Sequence, residues 1–220
     1  MKSYQNLILL QNLYRQKALG FKYSDPFAVN EVNSNETPKS LEELVQNIKS
    51  CHLCDLSKSR CQSMSGYGNP HASLMIIDFS VSSTEDTQNT YYHGRSGESL
   101  KKMIENVLCL DVDDVYFTHA VKCKTLNSNI PSTSEFNSCK SYLFRQIEFI
   151  QPKIIVTLGD DAYYKVTDES NNFKDVRGHV INFKNYKLVP IYHPSFLLRN
   201  PELKKITLND LKTIKSCLSN

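Results

Sequence analysis

Seven cysteines in a chain of 220 residues require a chemical reason. Cys51-x-x-Cys54 sets two thiols on one short segment, and Cys123 and Cys139 follow downstream with fifteen residues between them. Thiolates are ligands of zinc and of iron–sulfur centres, and a C-x-x-C pair gives one centre two adjacent sulfurs. The odd count argues against a full disulfide framework. Free cysteines also serve as small buried hydrophobes. A zinc site more often carries two C-x-x-C knuckles and this chain has one, so spacing alone leaves zinc and cluster evenly balanced. Cys61, Cys109 and Cys217 stand alone, the last two within helical patterns that predict a place in the core.

The elements that must position such residues alternate between β and α. A short apolar strand is predicted over 73–77, a helix over 97–110 and a second strand over 115–121. Ser132 with Glu135 forms a capping box that opens a helix to about residue 150. The run KIIVTL (153–158) has the β-branched character of a strand buried on both faces. Segments 179–183 and 188–191 flank Lys184-Asn185 as a hairpin, and a last helix covers about 208–218. This alternation predicts an α/β protein, three layers around a central, mainly parallel sheet. Ligands of such sheets sit at the C-terminal ends of the strands, here Asp78–Ser82, Thr118-His119, Gly159 and His193.

Before this domain, residues 4–18 carry an amphipathic helical stripe of Leu7, Leu10, Tyr14 and Ala18, ended by Gly20. The organisation expected is therefore an N-terminal helical extension over 1–27, a polar linker over 28–38 and one domain over 39–220. Ser40 and Glu43 open the domain's first helix, to about Lys49. A hydrophobic content of 40% excludes disorder for most of the chain. No run of 18 apolar residues and no signal-peptide pattern occurs, so a soluble, cytoplasmic protein without a membrane partner is expected. A net charge of +3 is compatible with nucleic acid without requiring it.

From residue 50 onward the chain resembles the family-four, iron–sulfur uracil-DNA glycosylases. The resemblance is carried by CHLC (51–54), YGNP (67–70), LMII (74–77), ED (85–86), GRSG (94–97) and VYFTHAVKC (115–123). Cys139, RQIEFIQPKIIVTLG (145–159), VRG (176–178) and HPSFLLRNP (193–201) continue it, and residues 1–40 lie outside it. It implies a uracil-DNA-glycosylase-like domain with a 4Fe–4S cluster on Cys51, Cys54, Cys123 and Cys139, and DNA as partner. In such enzymes a base is flipped into a closed pocket and its N-glycosidic bond is hydrolysed. By the same resemblance, Tyr92 stacks on the base and His193 contacts it as it departs.

Two positions depart from the family's pattern. Where it reads Gly-Glu-x-Pro-Gly, this chain reads Asp78-Phe79-Ser80-Val81-Ser82, which puts Phe79 at the catalytic acid. Phenylalanine holds neither charge nor water. His119 stands at the asparagine that reads the base edge and offers its donor and acceptor on different sides of a larger ring. The expectation is that ordinary uracil excision is lost or weak, with Phe79 filling the old water site beside the base. The alternative is an active enzyme in which Asp78 or His119 takes over the chemistry. The DNA-facing residues match better. Ser195, Leu197, Leu198 and Arg199 resemble a loop that wedges an apolar side chain into the duplex while the arginine meets phosphate. Arg177, Lys122, Lys124 and Lys205 are further candidate phosphate contacts, and the N-terminal helix is a candidate docking element for a protein partner.

Overall fold

The computed structural model describes residues 38–126 and 130–219. The N-terminal helix, its suggested protein partner and all of the linker except Pro38 lie outside the described residues.

Two strands of continuous apolar sequence form the centre of the sheet. They are β2 (Leu74–Asp78), preceded by the two-residue β1 (Tyr67–Gly68), and β4 (Ile154–Leu158). Their alternate residues face opposite layers. Met75, Ile77 and Ile155 pack on one side, while Leu74, Ile76, Ile154 and Val156 pack on the other. The first side is covered by α4 (Thr133–Ile150) and α5 (Gly159–Thr167) through Phe136, Leu143, Ile147 and Tyr163. The second is covered by α3 (Gly94–Met103) and α8 (Lys204–Ser219) through Leu100, Leu211 and Ile214. Each such aliphatic side chain contributes about 1.5–3 kcal/mol on full burial, so a two-faced sheet accounts for the apolar run in β4.

The sheet is completed by β3 (Tyr116–His119), β5 (Ile181–Phe183) and β6 (Tyr186–Ile191), in the order β1-β3-β2-β4-β6-β5. The inner four strands are parallel, and β1 and β5 add antiparallel edges. The expected three-layer α/β architecture is therefore observed. The chain steps to opposite sides of β2 to form β3 and β4, which opens a crevice at their C-terminal ends. Pairing continues past the strands: the Ala120 and Val121 N–H groups donate to the Asp78 and Phe79 carbonyls at 2.7 and 3.0 Å.

Ser132 and Glu135 form the reciprocal capping box of α4. In α1 (Leu41–Lys49), Ser40 Oγ accepts the Glu43 N–H, while the Glu43 carboxylate reaches the Lys39 N–H. The helix expected over 97–110 instead begins at Gly94 and ends in a wide turn at Ile104–Leu108. Cys109 then takes a left-handed conformation, φ 59°, and its side chain is exposed, while Cys217 is half-buried. Cys109 leaves the core that the helical pattern implied, because the π-type turn rotates it off the buried stripe, whereas Cys217 packs against the core's edge. Among the described residues no helix is long and apolar enough to cross a membrane.

Candidate active site

Asp78 ends β2, and His193 follows β6, at the start of α7 (Pro194–Arg199). The two side chains meet in the crevice, with His193 Nε2 3.0 Å from Asp78 Oδ2. The other ring nitrogen, Nδ1, accepts the Ser195 N–H at 3.1 Å and lies 2.7 Å from Ser195 Oγ. An acceptor at Nδ1 leaves the proton on Nε2, aimed at Asp78. Asp78 Oδ1 accepts the Phe79 N–H at 2.6 Å. Burial alone would raise the Asp78 carboxyl, but the charge and hydrogen bond of His193 outweigh it and hold the group below the usual carboxylate range. Burial likewise disfavours charge on His193, and the facing Asp78 overcomes it and raises the imidazole above its ordinary value. Each partner thus favours the charged form of the other, while the acceptor role of Nδ1 belongs to the neutral ring. Gly159 permits this approach, since its backbone runs at φ 82° and a Cβ there would lie 3.3 Å from His193 Cβ.

A cavity of about 260 Å³ opens onto this pair, lined by Asp78, Ser80, Ser82, Glu85, Tyr92 and His93 on one side. Leu100, Phe117, Leu158, Pro194 and Ser195 are among the rest of its wall. Tyr92 is where the sequence placed an aromatic stacking face. It is buried, packs 5.1 Å from Phe117 and carries a left-handed backbone, φ 60°. That conformation costs a non-glycine residue about 1–2 kcal/mol and is held by close packing with α3. A Cβ on Gly97 would sit 2.3 Å from the Tyr92 carbonyl carbon, so only glycine fits there. The Tyr92 hydroxyl is buried without a partner among the described residues.

Glu85 was not assigned a role from sequence beyond its part in a matching motif. It lies in α2 (Ser83–Gln88), where Glu85 and Ser82 form a reciprocal capping box. Its Oε2 also lies 3.3 Å from His119 Nε2. His119 is fully buried, stacked on Tyr91 at 6.0 Å and edge-on to Phe117 at 5.1 Å, and its ring nitrogens make no well-aligned hydrogen bond. Burial would raise the Glu85 carboxyl, yet His119 and the Ser82 N–H and hydroxyl hold it below its ordinary value.

Several expected contacts are not where the sequence put them. Phe79 and His119 do not line the cavity. The Phe79 ring packs into the core, 6.2 Å from Phe136, and its residue lines only the adjoining cleft beside Asp78 and His193. His119 sits behind the wall, with Glu85 between it and the opening. Lys122 is buried rather than phosphate-facing, since its ammonium is held by Thr118 Oγ1, the His119 carbonyl and Gln146 Oε1. Arg177 is engaged by the Asp210 carboxylate and packs over Tyr192, so its guanidinium is not free. Leu197 is wholly buried, whereas Leu198 and Arg199 are exposed and Lys124 is half-buried. An apolar wedge therefore has Leu198, not Leu197, available.

The four cysteines come from three segments to one place. Cys123 and Cys139 are buried, and Cys51 and Cys54 are half-buried. Burial and then the nearby Cys54 and Cys51 raise the Cys123 thiol, against the Arg60 guanidinium, which donates to its sulfur at 2.9 Å. Burial, with Cys123 and Cys54, pushes Cys139 up to about 11. The same Arg60 also donates to the Cys51 carbonyl at 2.8 Å, tying the two segments together. Among the described residues no three His, Cys, Asp or Glu side chains gather tightly enough for a single metal ion. The donor set, four soft sulfurs with N–H donors beside Cys51 and Cys123, is of the kind that would hold an iron–sulfur group.

The family model of the uracil DNA glycosylase superfamily matches residues 65–212. This chain belongs to that superfamily. It is 35% identical over 184 residues to the type-4 uracil-DNA glycosylase of Sulfurisphaera tokodaii, covering 80% of this chain and 84% of that one. Similar enzymes of Archaeoglobus fulgidus and Thermotoga maritima are 33% and 32% identical, over 92% and 96% of their lengths. Within the superfamily chain, the matched region contains the whole Asp78–His193 crevice.

Proposed function

We propose that the protein is a DNA glycosylase that hydrolyses the N-glycosidic bond of uracil, or of another deaminated base, with Asp78 and His193 as the working pair. The observation that carries this reading is the 3.0 Å contact of those two side chains at a cavity walled in part by Tyr92 and Phe117. Phe79 removes the acid from one position, and Asp78 supplies a carboxylate from the next.

In this reading the flipped base lies on Tyr92. As the bond from C1′ to the base breaks, its electron pair leaves with the base and the sugar becomes cationic. The ionised Asp78 stabilises that cation and takes a proton from the water whose oxygen bonds to C1′. His193 is the nearest donor to the departing base, and its Nε2–H turns from Asp78 to the base oxygen as charge builds there. Leu198 and Arg199 support the strand from outside. A 4Fe–4S cluster on Cys51, Cys54, Cys123 and Cys139 belongs to the same proposal, and when bound it would cross-link the start of the domain to α4.

The test is an anaerobic incubation with oligonucleotides carrying uracil, hypoxanthine or xanthine, scored for abasic sites and gel shift in the same tubes. Abasic sites with the parent and none with Asp78→Asn support the assignment. A gel shift without cleavage of any base favours the second reading, a DNA-binding protein without excision, for which the burial of Phe79 and His119 speaks.

A further inference from the structure

Beside the base cavity lies a larger cleft of about 590 Å³. The two share Asp78, Ser80, Leu158, His193 and Ser195 as a common wall. The cleft's far side is aromatic. Phe173 and Tyr192 lie 5.7 Å apart, and Tyr192 stacks on Phe196 at 5.2 Å with 30° between the planes. Phe196 caps this row and keeps 37% of its surface exposed. Tyr164 is fixed by accepting the Phe173 N–H at 3.0 Å.

We infer that this cleft is a second base subsite, which stacks an unpaired base adjoining the nucleotide in the closed cavity. The inference rests on the glycosylase reading and names its substrate class as single-stranded DNA. The shared wall of His193 and Ser195 makes the two cavities direct neighbours, as adjoining nucleotides require. The chemistry of the wall selects a base over a phosphate. Aromatic faces accept any base by stacking. Asp160 and Asp161, at the cleft's edge, repel phosphate but accept N–H groups of bases. Arg199 and Lys174, also in the wall, are the cations that can meet the connecting phosphate. Two neighbouring nucleotides held outside the stack cost a duplex a second base pair, whereas a single strand has none to lose.

The experiment uses the full-length protein and an oligonucleotide with 2′-fluoroarabino-uridine, which resists cleavage, and 2-aminopurine placed on one side of it or the other. The expected result is strong quenching of 2-aminopurine on one side only, with single strands bound about tenfold more tightly than duplex. Phe196→Ala is expected to abolish the quenching and weaken single-strand binding about tenfold, and Phe196→Tyr to restore both. Binding without quenching on either side overturns the subsite and leaves the glycosylase reading standing. Equal affinity of parent and folded Phe196→Ala for single strands overturns it as well. Failure to bind either form of DNA overturns both.

Discussion

Glu85 Oε2 lies 3.3 Å from His119 Nε2, and both side chains are shut away from solvent. The same carboxylate oxygen accepts the Ser82 N–H and hydroxyl at 2.9 and 2.7 Å. One group thus caps a helix, fixes the loop after β2 and faces a buried imidazole. Glu85→Ala is expected to lose the cap, about 1 kcal/mol, and to leave the buried His119 ring without its polar neighbour, a further destabilisation. Glu85→Gln keeps the capping geometry and is expected to lose less than half of that. Urea denaturation of the three proteins checks the order.

Asp78 and His193 predict a pH signature. The Asp78 carboxyl is lowered, so its stabilising effect is present above the unfolded value of about 3.9 and is lost as pH falls through the lower folded value. The His193 imidazole is raised, so its contribution is complete below about 6.5 and is lost as pH rises through the higher folded value. The pair's contribution to stability is therefore expected to fall as pH rises from about 6.5 toward alkaline values. Asp78→Asn removes the carboxylate that raises His193, and burial then disfavours the imidazolium. Thermal melts from mildly acid to alkaline pH are expected to show the parent's advantage over the variant shrinking as pH rises.

Gly97 tests the placement of Tyr92. A Cβ at 97 would stand 2.3 Å from the Tyr92 carbonyl carbon, so Gly97→Ala must displace the ring that walls the cavity. Affinity for an abasic or uncleavable uracil oligonucleotide is expected to drop by about tenfold, the scale of one lost base–aromatic contact. An unchanged affinity would remove Tyr92 from the base-binding wall.

The cysteine assignment predicts coupled folding. Cys139→Ser should yield protein with less iron and sulfide than the parent and a lower melting temperature, because ligand binding and folding are linked. Iron analysis and the visible absorption of the purified variant decide it.

Phe79→Glu tests whether the neighbouring position can recover a carboxylate. Phe79 is packed in the core against Phe136, so a glutamate there buries an unpaired charge and is expected to cost several kcal/mol rather than raise activity. A stable, faster variant would show that the loop can turn this side chain outward.

What the sequence determined by itself follows from interactions within a few residues. The short apolar runs at 74–77 and Ile154–Leu158 encode buried strands because side chains alternate between two covered faces of a sheet. Ser132 with Glu135 encodes a helix start because both partners are three residues apart. The order of those elements implied the crevice, and ordered motifs carried the family resemblance. The tertiary structure decided which side chains meet there. Asp78 and His193 are 115 residues apart, and their contact depends on β2, β4 and β6 lying side by side. Lys122 reads as a surface cation until Gln146, on α4, folds over it. Phe79 and Asp78 are adjacent in sequence, yet the strand pleat sends one into the core and the other to the crevice. Side-chain direction at the end of a strand is set by that pleat and by long-range packing, which no local spacing records.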